Sequence, residues 1–361
     1  MTTNVQLPAA GNVRTEPLLA VSHLQVTFGV GDKAKTVVED ASFTVRRGEA
    51  RALVGESGSG KTVTALALMG LLPRGRAAVT GGEVQFDGRD LRRTSDRQLR
   101  DLRGRHMAMV FQEPMTSLNP VFTVGQQIVE PLRRHLHMNS RDAWRRAVEL
   151  LDLVGIPVAH RRVRDYPHTF SGGMRQRAMI AMAIACEPEL LIADEPTTAL
   201  DVTVQAAILD LLRRLRTELD LAILLVTHDL GVVAEFCDEI SVMYAGQVIE
   251  SGTTDDVLTS AVRPSLTARA SVAHPYTRGL INSIPQPNRV GLPLATVPGI
   301  VPQPHEMPSG CRFHPRCSEA EKGLCDQSSP QLIEVAANHL NRCVRVQRNV
   351  GPTNLVIEER P

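Results

Sequence analysis

The chain has 361 residues, 43% of them hydrophobic, which suffices for one large α/β domain and a smaller appendage. Its 40 basic and 39 acidic residues leave a net charge of +1, so the charge balance gives no reason to expect nucleic acid or an anionic membrane surface as a partner. No apolar run approaches the roughly 20 residues that span a bilayer, and six cysteines without a secretory signal point to thiols or metal ligands in a reducing compartment.

Residues 1–17 carry one basic residue and no signal-like apolar stretch, so they are expected to form a disordered tail of a protein that is not exported. A β-rich entry follows: Leu18 to Phe28 partly alternates, and Ala41 to Val45 leads through a turn at Arg46 to Glu49 into the apolar run Ala52 to Val54. Gly81 to Gly88 and Met107 to Phe111 are further short strands. From about 113 to 186 the pattern turns helical. Ala143, Ala147, Leu150, Leu151 and Val154 share one face of a helix closed by Gly155 and Pro157. Strands return at Leu190 to Ala193 and Leu221 to Thr227, separated by an amphipathic helix over Val204 to Leu215. Alternating strand and helix predicts a mainly parallel sheet. Ile240 to Gly252 is expected to be a hairpin turning at Ala245 and Gly246. Beyond about Val262 the chain becomes Pro-rich and irregular, with Pro285, Pro287, Pro293, Pro298, Pro302, Pro304 and Pro308 opposing long elements.

The chain is organised around Gly55 to Thr62, GESGSGKT, a phosphate-binding loop between a strand and a helix. Gly55, Gly58 and Gly60 let the backbone come close to a ligand, so that amides of this stretch, with Glu56, Ser57 and Ser59, can face phosphate oxygens. Lys61 supplies a point charge for the β- and γ-phosphates. The Thr62 hydroxyl is a hard oxygen suited to Mg²⁺, and Thr64 lies one turn into the helix. Leu190 to Glu195 is an apolar strand ending in two carboxylates that point opposite ways. Asp194 can then complete a Mg²⁺ shell with Thr62, while Glu195 orients or deprotonates an attacking water. Ser171, Gly172 and Gly173 open a second helix with small residues and free N–H groups, another anion site.

Taken together, GESGSGKT, FSGGMRQR, LLIADEP, Ala199-Leu200-Asp201 and His228 resemble the ATPase subunit of an ATP-binding cassette (ABC) transporter. The resemblance implies an α/β fold: a P-loop NTPase cassette with a mainly parallel core sheet, a β-rich N-terminal subdomain, an inserted helical subdomain and a Pro/Cys-rich C-terminal extension. It also implies that Ser171, Gly172, Gly173 and Asp201 act in trans, on ATP held by the phosphate loop of a second subunit in a head-to-tail dimer. Gln112 then resembles the Q-loop glutamine, at Mg²⁺ or the attacking water. His228 resembles the switch histidine at the γ-phosphate, and Phe28 the aromatic that stacks on adenine. Glu195 becomes the general base. Met174 and Phe170 depart from the commonest signature, Leu-Ser-Gly-Gly-Gln, but both are typical of the peptide-importer branch, as are EPMTSLNP after Gln112 and AMIAMAIA after the signature.

The C-terminal stretch agrees with that branch: His274-Pro275-Tyr276-Thr277, then VPGIVP, then GCRFHPRC. Cys311, Cys317, Cys325 and Cys343 are separated by five, seven and seventeen residues, neither a zinc ribbon nor a finger. The resemblance implies a four-iron, four-sulfur cluster on these cysteines; zinc or four free thiols are the alternatives, and cluster loss or oxidation could uncouple ATP hydrolysis. Cys186 and Cys237 are expected in the core. The implied assembly has a second, usually different ATPase subunit, two transmembrane permease subunits and an extracytoplasmic peptide-binding protein, with this chain on the cytoplasmic face of the inner membrane. The competing reading is a non-transport cassette ATPase acting on nucleic acid or ribosomes. The single cassette and the ordinary length of the helical insertion speak against it. Division at 18–261 for the nucleotide-binding domain and 262–361 for the extension follows.

Overall fold

The computed structural model describes residues 16–31, 34–112, 117–198, 200–262, 272–284, 296–327 and 329–350. The tail residues 1–15, Glu113 to Thr116, Ala199, and Pro285, Pro287 and Pro293 therefore lie outside the described residues.

Strands β1 (Leu19–Phe28) and β2 (Lys35–Val45) pair antiparallel, and β3 (Ala50–Val54) runs into the phosphate loop and α1 (Lys61–Leu68). The chain returns through β4 (Ala77–Phe86) and β5 (Arg89–Asp90) to complete the antiparallel N-terminal sheet on β1. Helix α2 (Asp96–Leu102) starts at a reciprocal Ser95–Gln98 capping box and precedes β6 (Met107–Val110). Among the described residues the insertion includes the helices α3 (Val124–His135), α4 (Ser140–Leu153), α5 (Ala159–Arg162) and α6 (Gly172–Ala183). The predicted stop of α4 falls at Gly155, whose φ of 75° suits glycine.

The core sheet continues with β7 (Leu190–Asp194), α7 (Val202–Leu219), β8 (Ala222–Thr227), α8 (Leu230–Phe236) and the hairpin of β9 (Glu239–Tyr244) and β10 (Gln247–Thr253). Ala245 and Gly246 form its turn with φ of 44° and 83°, a two-residue turn whose positive φ values match the twist of the strands it joins. The parallel strands lie in the order β9-β3-β8-β7-β6. They are buried on both faces. Ala52, Val54, Leu191, Ala193, Ile223 and Leu225 face one core, shared with α3, α4 and α6, while Leu53, Leu190, Ile192, Leu224 and Val226 face the other, shared with α1 and the N-terminal sheet.

The C-terminal part is joined to the cassette more tightly than a boundary at 262 implies. After α9 (Thr254–Val262) come α10 (Pro275–Asn282), the short strands β11 (Ile333–Ala336) and β12 (His339–Asn341), and α11 (Val344–Val350). β12 pairs antiparallel with β10, and Ala273, Tyr276, Ile281 and Phe313 enter the main core. Glu250 on β10 is fully buried because its carboxylate has partners from this segment: the His274 N–H at 3.1 Å, His339 Nε2 at 2.7 Å and Asn341 Nδ2 at 3.3 Å.

Candidate functional site: a phosphate loop with two carboxylates

β3 delivers the loop to the end of the sheet, where a Cβ on Gly55 would collide with the Met243 carbonyl, so only glycine lets the backbone lie this close to β9. Gly60 opens α1 at φ 104° with no side-chain cap, and the amides of Gly58, Gly60, Lys61 and Thr62 have no backbone partner among the described residues. The concave run of donors is thus left for a ligand. Lys61 is buried, with Nζ donating to the carbonyls of Gly55 at 2.7 Å and Glu56 at 3.0 Å. Burial pushes its ammonium down, against the pull of Glu195, Asp194 and Glu56.

The two carboxylates behave as their opposite directions suggest. Asp194 is buried and accepts from Thr62 Oγ1 at 3.3 Å; desolvation raises its carboxyl pKa. Glu195 sits at φ 46°, its N–H bonded to the Val226 carbonyl, which turns its side chain out of the strand line. Burial would raise its pKa, but hydrogen bonds from His228 and Thr198 and the charges of His228 and Lys61 bring it below the usual carboxylate range. Three groups converge on it: Gln112 Nε2 at 3.0 Å, Thr198 Oγ1 at 2.8 Å and His228 Nδ1 at 3.0 Å. His228 stays 59% exposed while Glu195 is 14% exposed, so the histidine can still swing to a ligand.

Other expected residues have these surroundings. Gln112, expected at Mg²⁺ or the attacking water, is bonded to Glu195. Thr64 is fully buried and its hydroxyl is used on the Gly60 carbonyl and the Met243 sulfur, so its side chain braces the loop. Glu56 donates its N–H to Tyr276 Oη at 2.9 Å and turns its carboxylate to Arg316, away from the role of a phosphate donor. Ser59 is buried with its carbonyl accepting from the Gly246 N–H, whereas Ser57 and Gly58 are exposed. Phe28 is half-buried at the end of β1. Sequence reasoning missed Thr198, three residues after Glu195, and the pair Tyr276 and Arg316.

Ser171 caps α6 by accepting from the Met174 N–H, and Ser171 and Gly172 lie on the surface. Asp201 caps α7 in the same way and is also exposed. The two turns adjoin: a Cβ on Gly173 would press on Val204 and one on Gly172 would touch Leu200. No hydrogen bond joins Ser171, Gly172 or Gly173 to the phosphate loop of the same chain among the described residues. Phe170 fills the core beneath.

A family model described as ABC transporter matches residues 38–198, and one described as Oligopeptide/dipeptide transporter, C-terminal region, matches 249–325. The oligopeptide transport ATP-binding protein OppD of Salmonella typhimurium is 46% identical over 95% of this chain and 97% of its own. The chain belongs to the ABC transporter ATPases, in the oligopeptide/dipeptide transporter family. A putative peptide import ATP-binding protein of Brucella melitensis is 48% identical, covering 92% of this chain and 98% of its own. The cassette fold agrees with a dimeric ATP-binding cassette bound to ADP and Pi, 27% identical with a TM-score of 0.59 over 65% of this chain and 98% of that one. It agrees also with cbiO1 of Clostridium perfringens, 26% identical with a TM-score of 0.58 over 67% of this ABC ATPase and 91% of that chain.

The cysteines expected to carry iron–sulfur or zinc are all unbridged. Among the described residues no group of three or more His, Cys, Asp or Glu side chains is placed to hold a metal ion, so neither the iron–sulfur cluster nor zinc finds a prepared site. The four thiols nevertheless sense one another. Burial raises Cys311 to about 11, and proximity to Cys343, Cys325 and Cys317 adds to it. Backbone N–H groups meet each sulfur: Phe313 at Cys311, Glu319 at Cys317, Glu321 at Cys325, and Arg345 and Val346 at Cys343. Cys186 and Cys237 are buried as expected, Cys237 at the end of α8.

Proposed function

We propose that the chain is the ATP-hydrolysing subunit of an importer that energises uptake of dipeptides or oligopeptides across the cytoplasmic membrane. One observation carries the catalytic part: Glu195, Gln112 and His228 meet beside a phosphate loop whose Thr62 already touches Asp194. The peptide part rests on the C-terminal match over 249–325 and on what the relatives are named for. Nothing favours the nucleic-acid reading.

Lys61 and the loop amides bind the phosphates of ATP, and Phe28 supplies a face for adenine. Thr62 and Asp194 fit Mg²⁺, which seeks a few hard oxygens and keeps waters and phosphates for the rest. When bound, the ion neutralises charge on the transferring phosphoryl group. Glu195, kept ionised by its neighbours, takes the proton of a water attacking the γ-phosphate in line, while Gln112 and His228 hold that water and the phosphate in place. Ser171, Gly172, Gly173 and Asp201 act on the ATP of a second ATPase subunit, a copy of this chain or, as is usual in the family, a different one; their surface location leaves them available to another chain. The other partners are two permease subunits and, through them, an extracytoplasmic peptide-binding protein. The chain lies peripherally on the cytoplasmic face; no described helix is long and apolar enough to cross a membrane. The cassette spans 18–261, with its helical insertion at about 113–186, and the extension spans 262–361.

The iron–sulfur cluster is inferred from the family resemblance of the four cysteines, and amide donors to sulfur are among the features that tune such a cluster. Cys311, Cys317, Cys325 and Cys343 would hold it. Iron and acid-labile sulfide in equal amounts in protein purified without oxygen would support this reading; their absence would leave thiols.

Glu195→Gln is expected to keep ATP binding and to lower turnover about 10²–10⁴-fold. Wild-type turnover in that variant would reject the assignment of the base. Co-purification with permease subunits, and ATP-dependent peptide uptake that this variant abolishes, test the transport reading.

A further inference from the structure

Glu56 is a carboxylate one residue inside a loop built to hold phosphates. Left free it would oppose the ligand, and its charge is felt by Lys61. The structure turns it to the rear. Its Oε2 lies 3.1 Å from Arg316 Nη2, and its Oε1 is buried with no hydrogen-bond partner among the described residues. Arg316 is therefore the group that neutralises it. The guanidinium is only 6% exposed and is fixed by the extension: Nε donates to the Pro298 carbonyl at 2.6 Å, Nη2 to those of Val297 at 3.4 Å and Gly299 at 3.3 Å, and Nη1 to Tyr244 Oη at 3.4 Å.

A second bond reaches the same residue by another route. Tyr276 Oη, from α10, accepts the Glu56 N–H at 2.9 Å. The rings of Tyr244, Tyr276 and Phe313 pack together with centroids 4.7 to 5.3 Å apart, and Phe313 lies between Cys311 and Arg316 in sequence. Arg312 bonds the Ala245 carbonyl, next to Gly246, whose N–H holds Ser59. The rear of the phosphate loop is thus a surface to which the segment that bears Cys311 and Cys317 contributes Arg316, beside Tyr276 of α10 and the β9–β10 turn.

We propose that Arg316 is a positioning residue for nucleotide binding: it keeps the Glu56 carboxylate behind the phosphate loop and so ties ATP affinity to the docking of the C-terminal extension. The inference rests on the ATPase reading above. Arg316 touches no nucleotide; it acts by removing a repulsive charge and fixing a backbone. Because coupling of two sites is reciprocal, nucleotide binding must also steady the segment around Arg316.

The test is binding of Mg-ADP to the purified full-length protein. Arg316→Met is expected to weaken it about tenfold, within the range of such couplings. Adding Glu56→Gln to that variant removes the stranded carboxylate and is expected to recover about threefold or more of the loss, on the order of one hydrogen bond's worth of free energy. Wild-type affinity in Arg316→Met, or a double variant no tighter than the single, would overturn the proposal, the latter meaning that Arg316 serves only to hold the extension together. A second arm needs no Arg316 variant. Amide hydrogen exchange over residues 311–317 is expected to slow when wild-type protein binds Mg-ADP, and to slow less in Glu56→Gln. No slowing in wild type would sink the coupling. A wild-type chain that binds no nucleotide would overturn the ATPase reading and this inference together, whereas binding without coupling removes the inference alone.

Discussion

At the phosphate loop, Gly60 opens α1 with no side-chain cap and neighbouring amides have no backbone partner among the described residues; at the signature turn, Ser171 accepts the Met174 N–H with its own hydroxyl. The loop is pressed onto β9 and held from behind by Tyr276, Arg316 and Gly246. The turn lies on the surface, steadied by Val204 and Leu200. Both are helix starts rich in small residues, and both attract anions for the same electrostatic reason. What differs is preorganisation. A braced, uncapped start can hold a ligand alone, while an exposed and self-capped start suits a ligand brought to it by another molecule.

The largest effect that would break this contrast lies at the loop. Lys61→Ala is expected to weaken Mg-ATP binding about 10–100-fold, the worth of a hydrogen bond to a charged group in a partly buried setting. Equilibrium titration of the single chain measures it. Binding that survived this change would mean that the braced loop is not the primary phosphate site.

A smaller and differently shaped effect is expected at the turn. Ser171→Ala loses an N-cap worth about 1 kcal/mol of stability, visible as a modestly lower Tm. ATP affinity of the isolated chain should stay within about twofold, while turnover in the assembled dimer falls about tenfold, as expected for one lost hydrogen bond to a charged ligand. Equal loss of affinity in the isolated chain would place the turn on the same ATP as the loop and remove the distinction between the two starts.

The front of the site was legible because its signals are local. An apolar run, three glycines and a lysine lie within a dozen residues, and Leu190 to Glu195 carries its two carboxylates in sequence. The hairpin turn at Ala245 and Gly246 was legible for the same reason. The rear was not. Arg316 reaches Glu56 across 260 residues and Tyr276 reaches it across 220, separations over which no periodicity survives. β12 joins β10 over two residue pairs, too few to leave an alternating pattern. A motif names positions and not directions, so it did not show that the Glu56 and Thr64 side chains are engaged with Arg316 and the Gly60 carbonyl. A tyrosine in the HPYT stretch and an arginine beside a cysteine gave only the kind of residue that could reach a buried carboxylate, without an address.

The last expected effect is read in stability alone and concerns the brace itself. His274 caps α10 by accepting the Tyr276 N–H on Nδ1 at 3.1 Å, and so sets the residue that holds Glu56. It is 1% exposed; burial, followed by the charges of Arg278 and Arg342, pushes its pKa down to about 3. In the unfolded chain a histidine takes its proton near about 6.5. Between those values the unfolded state binds the extra proton, so stability must fall as pH is lowered from about 6.5 toward 3, by at most about 1.4 kcal/mol per pH unit from this residue. His274→Asn retains an N-cap acceptor without the titration. Urea unfolding at pH 7 and at pH 5 should show a smaller difference in this variant than in wild type. Equal differences would show that the imidazole is not held neutral in the fold, and that the brace behind the phosphate loop is wetter, and closer in kind to the exposed signature turn, than its burial implies.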